Sequence, residues 1–161
     1  MPDTGRLVPF TGYRSPVRDE WIDYNGHMND AYYPVVCTEA AEVFLSALGL
    51  GAEYHAVTRY GMYTVEAHLR YRREAVRGDV LHAETLLVAA DRKRLRVHHS
   101  LRRQSGDEVA TGEFLYLHVD QGAGRVAPMS GERWAVVAEV LAAHATAAPP
   151  RHLGLGVGAS R

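Results

Sequence analysis

Cysteine is nearly missing from this sequence: one residue, Cys37, in 161. A lone cysteine closes no internal disulfide and builds no cysteine-rich zinc site. It falls inside a predicted helix, where a packed, inert thiol is the expectation. An excess of charge of either sign is missing too. Eighteen basic residues stand against 19 acidic ones, a net charge of -1, so no broad basic field is there to hold nucleic acid. No apolar run approaches the roughly 20 residues that span a bilayer. Met1 to Phe10 lacks the basic start and apolar stretch of a signal peptide. These absences point to a cytoplasmic protein with no membrane or nucleic-acid partner. Nine histidines are present, but none has the spacing of a standard zinc motif. His98 and His99 are adjacent and point to opposite strand faces, so no metal site is expected.

The length fits one domain. Residues 1–10 read as an extended arm, 11–148 as the domain, and 149–161, rich in Gly and Pro, as a flexible tail. Thr11 to Val17 reads as a first strand. A dense run of turn formers follows from Trp21 to Asp30. Helical spacing of Val36, Ala40, Val43, Phe44, Ala47 and Leu48 predicts a helix over Ala31–Leu48. Asn29 or Asp30 is its expected cap, Gly49 its left-handed stop, and Pro34 an awkward residue in its first turn. Tyr63, Val65, Ala67, Leu69 and Tyr71 alternate with polar residues, the period of a strand. Further strands are expected over Val80–Ala89, Arg94–Arg103 and Glu108–Asp120, and a terminal helix over 131–145 with Ser130 as its cap. One long helix beside an antiparallel sheet is an α+β layout.

The chemistry concentrates in Asp23-Tyr24-Asn25-Gly26-His27-Met28-Asn29, just before the long helix. Backbone N–H groups at a helix start are unpaired, and the dipole favours negative charge there. Such a place can steady the oxyanion of a tetrahedral intermediate. Asp23 beside it can attack a carbonyl carbon or activate a water, and Gly26 allows close approach of the backbone. The bland reading is that Asp, Asn and Gly before a helix are ordinary turn and cap residues. Glu66 is a second acid. It shares a strand face with His68, and its alternative reading is ordinary ion pairing on an exposed sheet. Arg92, Lys93 and Arg94 at one turn, and Arg70, Arg72 and Arg73 at another, are cations suited to phosphate or to plain solvation.

The pattern Asp23-x-x-Gly26-His27-x-Asn29 before a long helix resembles the hotdog thioesterases of the 4-hydroxybenzoyl-CoA thioesterase type. So does Glu66-x-His68-x-x-Tyr71-x-x-Glu74-x-x-x-Gly78-Asp79. The resemblance covers about residues 11–120. It implies a hotdog fold, a sheet wrapped round the helix, with subunits paired as dimers or dimers of dimers and acyl-CoA bound between them. It implies Asp23 as the catalytic aspartate and the backbone N–H near Asp30 as the donor to the thioester carbonyl. His27 and Asn29 take supporting roles, and no cofactor is needed. The string from Trp21 to Ala31, with Asp91-x-Lys93-Arg94-Leu95 and Leu117-His118-Val119-Asp120, resembles in particular the betainyl-CoA thioesterases of carnitine breakdown.

Eight of nine tyrosines lie between positions 13 and 71. Trp21, Tyr24, Tyr32, Tyr33 and Tyr63 are the rings expected to cage a quaternary ammonium, with Asn25, Gly26 and His68 beside them; core or interface mass is their other use. Three alternatives stay open: a thioesterase for another small or aromatic acyl group, a non-catalytic acyl-CoA binder, and a hotdog dehydratase. The last needs a histidine on the helix, and Ala31–Leu48 has none.

Overall fold

The computed structural model describes residues 7–156. The first six residues of the expected arm and the last five of the expected tail lie outside them. Strand β1 (Phe10–Pro16) leads through a single 3₁₀ turn (Asp19–Trp21) to helix α1 (Tyr32–Ala47). A short helix α2 (Ala52–Thr58) precedes the strands β2 (Tyr60–Tyr71), β3 (Val80–Ala90), β4 (Arg94–Arg103) and β5 (Glu108–Asp120). A two-residue strand β6 (Arg125–Val126) and helix α3 (Gly131–His144) follow. The sheet is antiparallel throughout, in the order β1-β3-β4-β5-β2, with β6 continuing beside β5 where β4 runs out.

α1 lies against the inner face of this sheet. Its buried stripe is Tyr33, Val36, Cys37, Ala40, Ala41, Phe44 and Leu45. The expected stripe was displaced by part of a turn, since Val43 is exposed. The helix stops as its sequence dictates. Gly49 takes φ +68, its N–H donates to the Ser46 carbonyl, and the Leu50 N–H reaches back to that of Leu45. Those two bonds and the buried Leu45 and Leu50 make a Schellman stop. Pro34 proves harmless. It is the third helical residue, where a backbone N–H would have no partner in the helix anyway.

Leu81, Ala83, Leu87, Leu95, Val97, Leu101, Phe114 and Tyr116 fill the inner face of the sheet and are all buried. Gly112 is the close point between the layers: a Cβ there would sit 3.0 Å from Cys37 Sγ. α3 is capped as expected, with Ser130 Oγ accepting the Arg133 N–H at 3.2 Å. His144 at its end joins three segments. Its Nδ1 accepts the Leu87 N–H at 2.9 Å, its Nε2 donates to the Leu7 carbonyl at 3.0 Å, and its ring stacks on Phe44. Residues 149–156 run back over the outer face, where the Gly154 N–H donates to Glu113.

β2 is an edge of the sheet, as β1 is at the other side, and it is not a regular strand. Its pairing with β5 skips Val65 between Thr64 and Glu66. The extra residue switches the faces. Met62 and Thr64 lie inward, opposite His118 and Tyr116, and after the bulge Ala67, Leu69 and Tyr71 lie inward, opposite Phe114, Gly112 and Ala110. The alternation expected from Tyr63 to Tyr71 on one face therefore breaks in the middle. Among the described residues, no single helix is long and apolar enough to cross a membrane; α1 and α2 pass only as a pair bent by 62°.

Candidate active site

The loop between β1 and α1 is a small hairpin. Ile22 and Met28 pair as an isolated bridge. The Asp23 N–H donates to the His27 carbonyl, and the Gly26 N–H donates to that of Asp23. Gly26 sits at φ +79 with nothing within 4 Å of where a Cβ would be, so the turn itself demands glycine.

This hairpin aims Asp23. Its Oδ1 accepts the Asn25 N–H at 2.8 Å, and its Oδ2 faces Asn29 Nδ2 at 3.4 Å. Asn29 Oδ1 accepts the Ala31 N–H at 3.0 Å. One amide side chain thus joins the carboxylate to the start of α1, and both partners agree on which end of it is oxygen. Neither Asn29 nor Asp30 caps the helix in the ordinary sense. The cap position is Ala31, without a side-chain bond. The Asp30 N–H, beside the helix start, has no acceptor among the described residues.

Residues 71–75 close the other side. Tyr71 Oη donates to the Asp30 carbonyl at 3.3 Å. The Ala75 N–H donates to Tyr33 Oη at 3.1 Å, and its carbonyl accepts the Met28 N–H. Between the two walls lies a cleft of about 620 Å³ containing Asp23, Asn25, His27, Asp30, Tyr71 and Arg73. That is ample for a small ligand.

The chain gathers only part of the expected set. Asp23, Asn25, Gly26, His27, Asn29 and Asp30 stand together. Tyr33 contributes only its hydroxyl, because its ring is buried. Trp21 is buried and stacked on Tyr32 at 5.3 Å, and Arg18 already covers its ring at 4.6 Å. Tyr24 is 97% exposed. Tyr63 is far along β2, its hydroxyl accepting from Gln121. A cage built of all five rings is therefore not assembled within one chain. Glu66 and His68 pair opposite Leu115 and Glu113, on the outer face, and neither is a wall of the Asp23 cleft. Arg92 is committed to the Met129 carbonyl and Arg94 to Asp91, whose carboxyl is lowered by that pairing against the opposing effect of burial. The Lys93 side chain is exposed. Tyr71, part of the family-like pattern, and Arg72 and Arg73, two of the cations suited to phosphate, line this cleft.

An antiparallel sheet curled round one long helix, with a carboxylate held where that helix begins, defines the hotdog class. The chain belongs to the thioesterase-like superfamily, whose family model matches residues 17–143. It is 36% identical to a betainyl-CoA thioesterase of Pseudomonas aeruginosa, over 92% of this chain and 94% of that protein. It is 38% identical to an L-carnitine dehydrogenase/betainyl-CoA thioesterase of Agrobacterium fabrum. There it matches over 95% of its own length but spans only 31% of the relative. In structure it is similar to a Staphylococcus aureus protein solved in complex with CoA, with a TM-score of 0.84 and 25% identity over 92% of this chain and 94% of that one.

Proposed function

We propose that this protein hydrolyses betainyl-CoA to betaine and CoA. The observation that carries the reading is the Asp23–Asn29–Ala31 relay at the start of α1, in a chain 36% identical to a betainyl-CoA thioesterase over nearly its whole length. The substrate carbonyl oxygen points at the Asp30 N–H and the helix start. Asp23 takes a proton from a water as that water's oxygen bonds to the carbonyl carbon. The charge that builds on the carbonyl oxygen is met by donors already in place. When the C–S bond breaks, the electron pair leaves with sulfur and the CoA thiolate recovers the proton from Asp23. His27 lines the same cleft and completes its polar wall.

The working unit in this reading is a dimer joined along β2. That strand is 12 residues long, lies at the sheet edge, and exposes Tyr63, Val65 and Tyr71. A long apolar edge with unpaired backbone groups invites a second strand. The 91–94 turn lies at the opposite sheet end from Asp23, with Arg94 opposite Leu117. A two-fold through β2 carries the partner's Lys93 toward the cleft, where a CoA phosphate needs a cation.

Asp23→Asn tests the chemistry. Hydrolysis should fall by about 10²–10⁴-fold, the usual worth of a positioned base, with the dimer and circular dichroism retained. Near-normal turnover would remove Asp23 from the mechanism.

A further inference from the structure

A second cavity, of about 270 Å³, opens beside the start of β2 and the end of α1. Glu42, Leu45, His55, Met62, Tyr63 and Gln121 are among its walls, and no lysine or arginine is. Glu42 is exposed and makes no ion pair or hydrogen bond among the described residues. The His55 Nδ1 donates to the Tyr60 carbonyl at 3.0 Å, and Gln121 holds the Tyr63 hydroxyl. A bare carboxylate, an aromatic ring and apolar walls suit a bulky cation that cannot itself donate hydrogen bonds.

The β2 bulge says where this cavity lies in a dimer. Two antiparallel copies of β2 must match inward residues with inward residues, or one copy would turn its apolar set to solvent. In an unbroken strand, partners that share a face have residue numbers with an even sum. The extra residue at Val65 changes the parity between the two halves. Met62 and Thr64 face inward, as do Ala67 and Leu69, so pairing Met62 with the partner's Leu69, and Thr64 with the partner's Ala67, keeps every inward residue inward. The two-fold axis then falls at the bulge. Tyr71, a wall of the Asp23 cleft, comes opposite the partner's Tyr60, one residue from Gly61 and the second cavity.

We infer that the two cavities join across this axis into one site. Asp23 of one subunit acts on the thioester carbonyl, and Glu42 with Tyr63 of its partner holds the trimethylammonium end of the acyl group. This inference rests on the betainyl-CoA reading and adds the residues that select the cation. It also explains why one chain does not assemble the cage: its decisive ring and carboxylate come from the other copy.

The test uses Glu42→Gln with two substrates of the same shape, betainyl-CoA and its uncharged isostere 3,3-dimethylbutyryl-CoA. The wild type should prefer betainyl-CoA in kcat/KM. Glu42→Gln should cut that preference about tenfold, through KM more than kcat, and Tyr63→Leu should cut it further. A preference that survives both variants would overturn the assignment while leaving betainyl-CoA hydrolysis standing. A wild type that hydrolyses both substrates equally would overturn the assignment alone, and one that hydrolyses neither would overturn the betainyl-CoA reading with it. Mixed dimers of Asp23→Asn and Glu42→Gln subunits settle the geometry. Residues acting across the axis leave each mixed dimer one intact site, so the preference for betainyl-CoA returns. Residues acting within one subunit leave every active site lacking Glu42, and the preference stays low; that result would reject the shared site.

Discussion

Asn29 is held by both ends of its amide, one at Asp23 and one at the Ala31 N–H. In the proposed mechanism it acts through Asp23 and the helix start, so its part is to position. Asn29→Ala should lower kcat about tenfold or more with little change in KM, since a small misplacement of a catalytic group is costly. Steady-state kinetics on the folded variant would read this split. His99 carries a different liability. It is fully buried, its Nδ1 meets Thr85 Oγ1 at 2.9 Å, and Nε2 has no partner among the described residues. Burial, helped by the neighbouring His98, drives its imidazole down to about 3. The unfolded chain takes up this proton near pH 6.5 and the folded one does not. The stability at stake is intact above pH 6.5 and drains away as pH falls toward 3, by up to about 1.4 kcal/mol per pH unit. His99→Gln keeps a partner for Thr85 and cannot titrate. Its acid unfolding midpoint, followed by circular dichroism, should move to lower pH.

At the scale of elements, the helix end at Gly49 can be tested by itself. Gly49→Ala places a Cβ on a residue at φ +68, near the Arg133 guanidinium. The strained backbone should cost roughly 1 kcal/mol and lower Tm by about 2–4 °C, which calorimetry would resolve. Much of this level was legible beforehand. The limits of α1, the Ser130 cap and four of the strands follow from period and punctuation. The Asp23 loop announced itself by composition. Three things were hidden. α2 and β6 are too short to show a period. The bulge at Val65 is one surplus residue, and nothing in the local sequence marks it, because the register is set by β5 and not by β2. Glu42 looked like any polar residue on a helix face; only the cavity gives it meaning.

At the scale of the whole molecule, the proposed shared site depends on β2 as its seam. Val65 is 48% exposed at the point where the two copies would meet. In the register that sets Met62 opposite the partner's Leu69, Val65 lies opposite the partner's Glu66, so Val65→Asp sets a carboxylate against a carboxylate on each side of the axis, which opposes pairing. It should shift the protein toward monomer in light scattering after size exclusion, with activity falling in step. A fully active monomer would refute the shared site. The outer face of the sheet is the other large surface. There Arg96 pairs with the buried Glu113, which also accepts the Gly154 N–H, and Arg102 joins Glu84 and Glu108. Glu66 and His68 belong to this charged layer by register, which a strand pattern alone does not reveal.

The sealed position of Cys37, the chain's one thiol, has a practical result. It has no exposed surface, and burial pushes its ionisation up to about 12. A colorimetric thiol reagent added to the native enzyme will therefore register released CoA and almost nothing from the protein. Heat or denaturant in the same cuvette should add one equivalent per chain, so a single dye would count product first and then report when the catalyst itself comes apart.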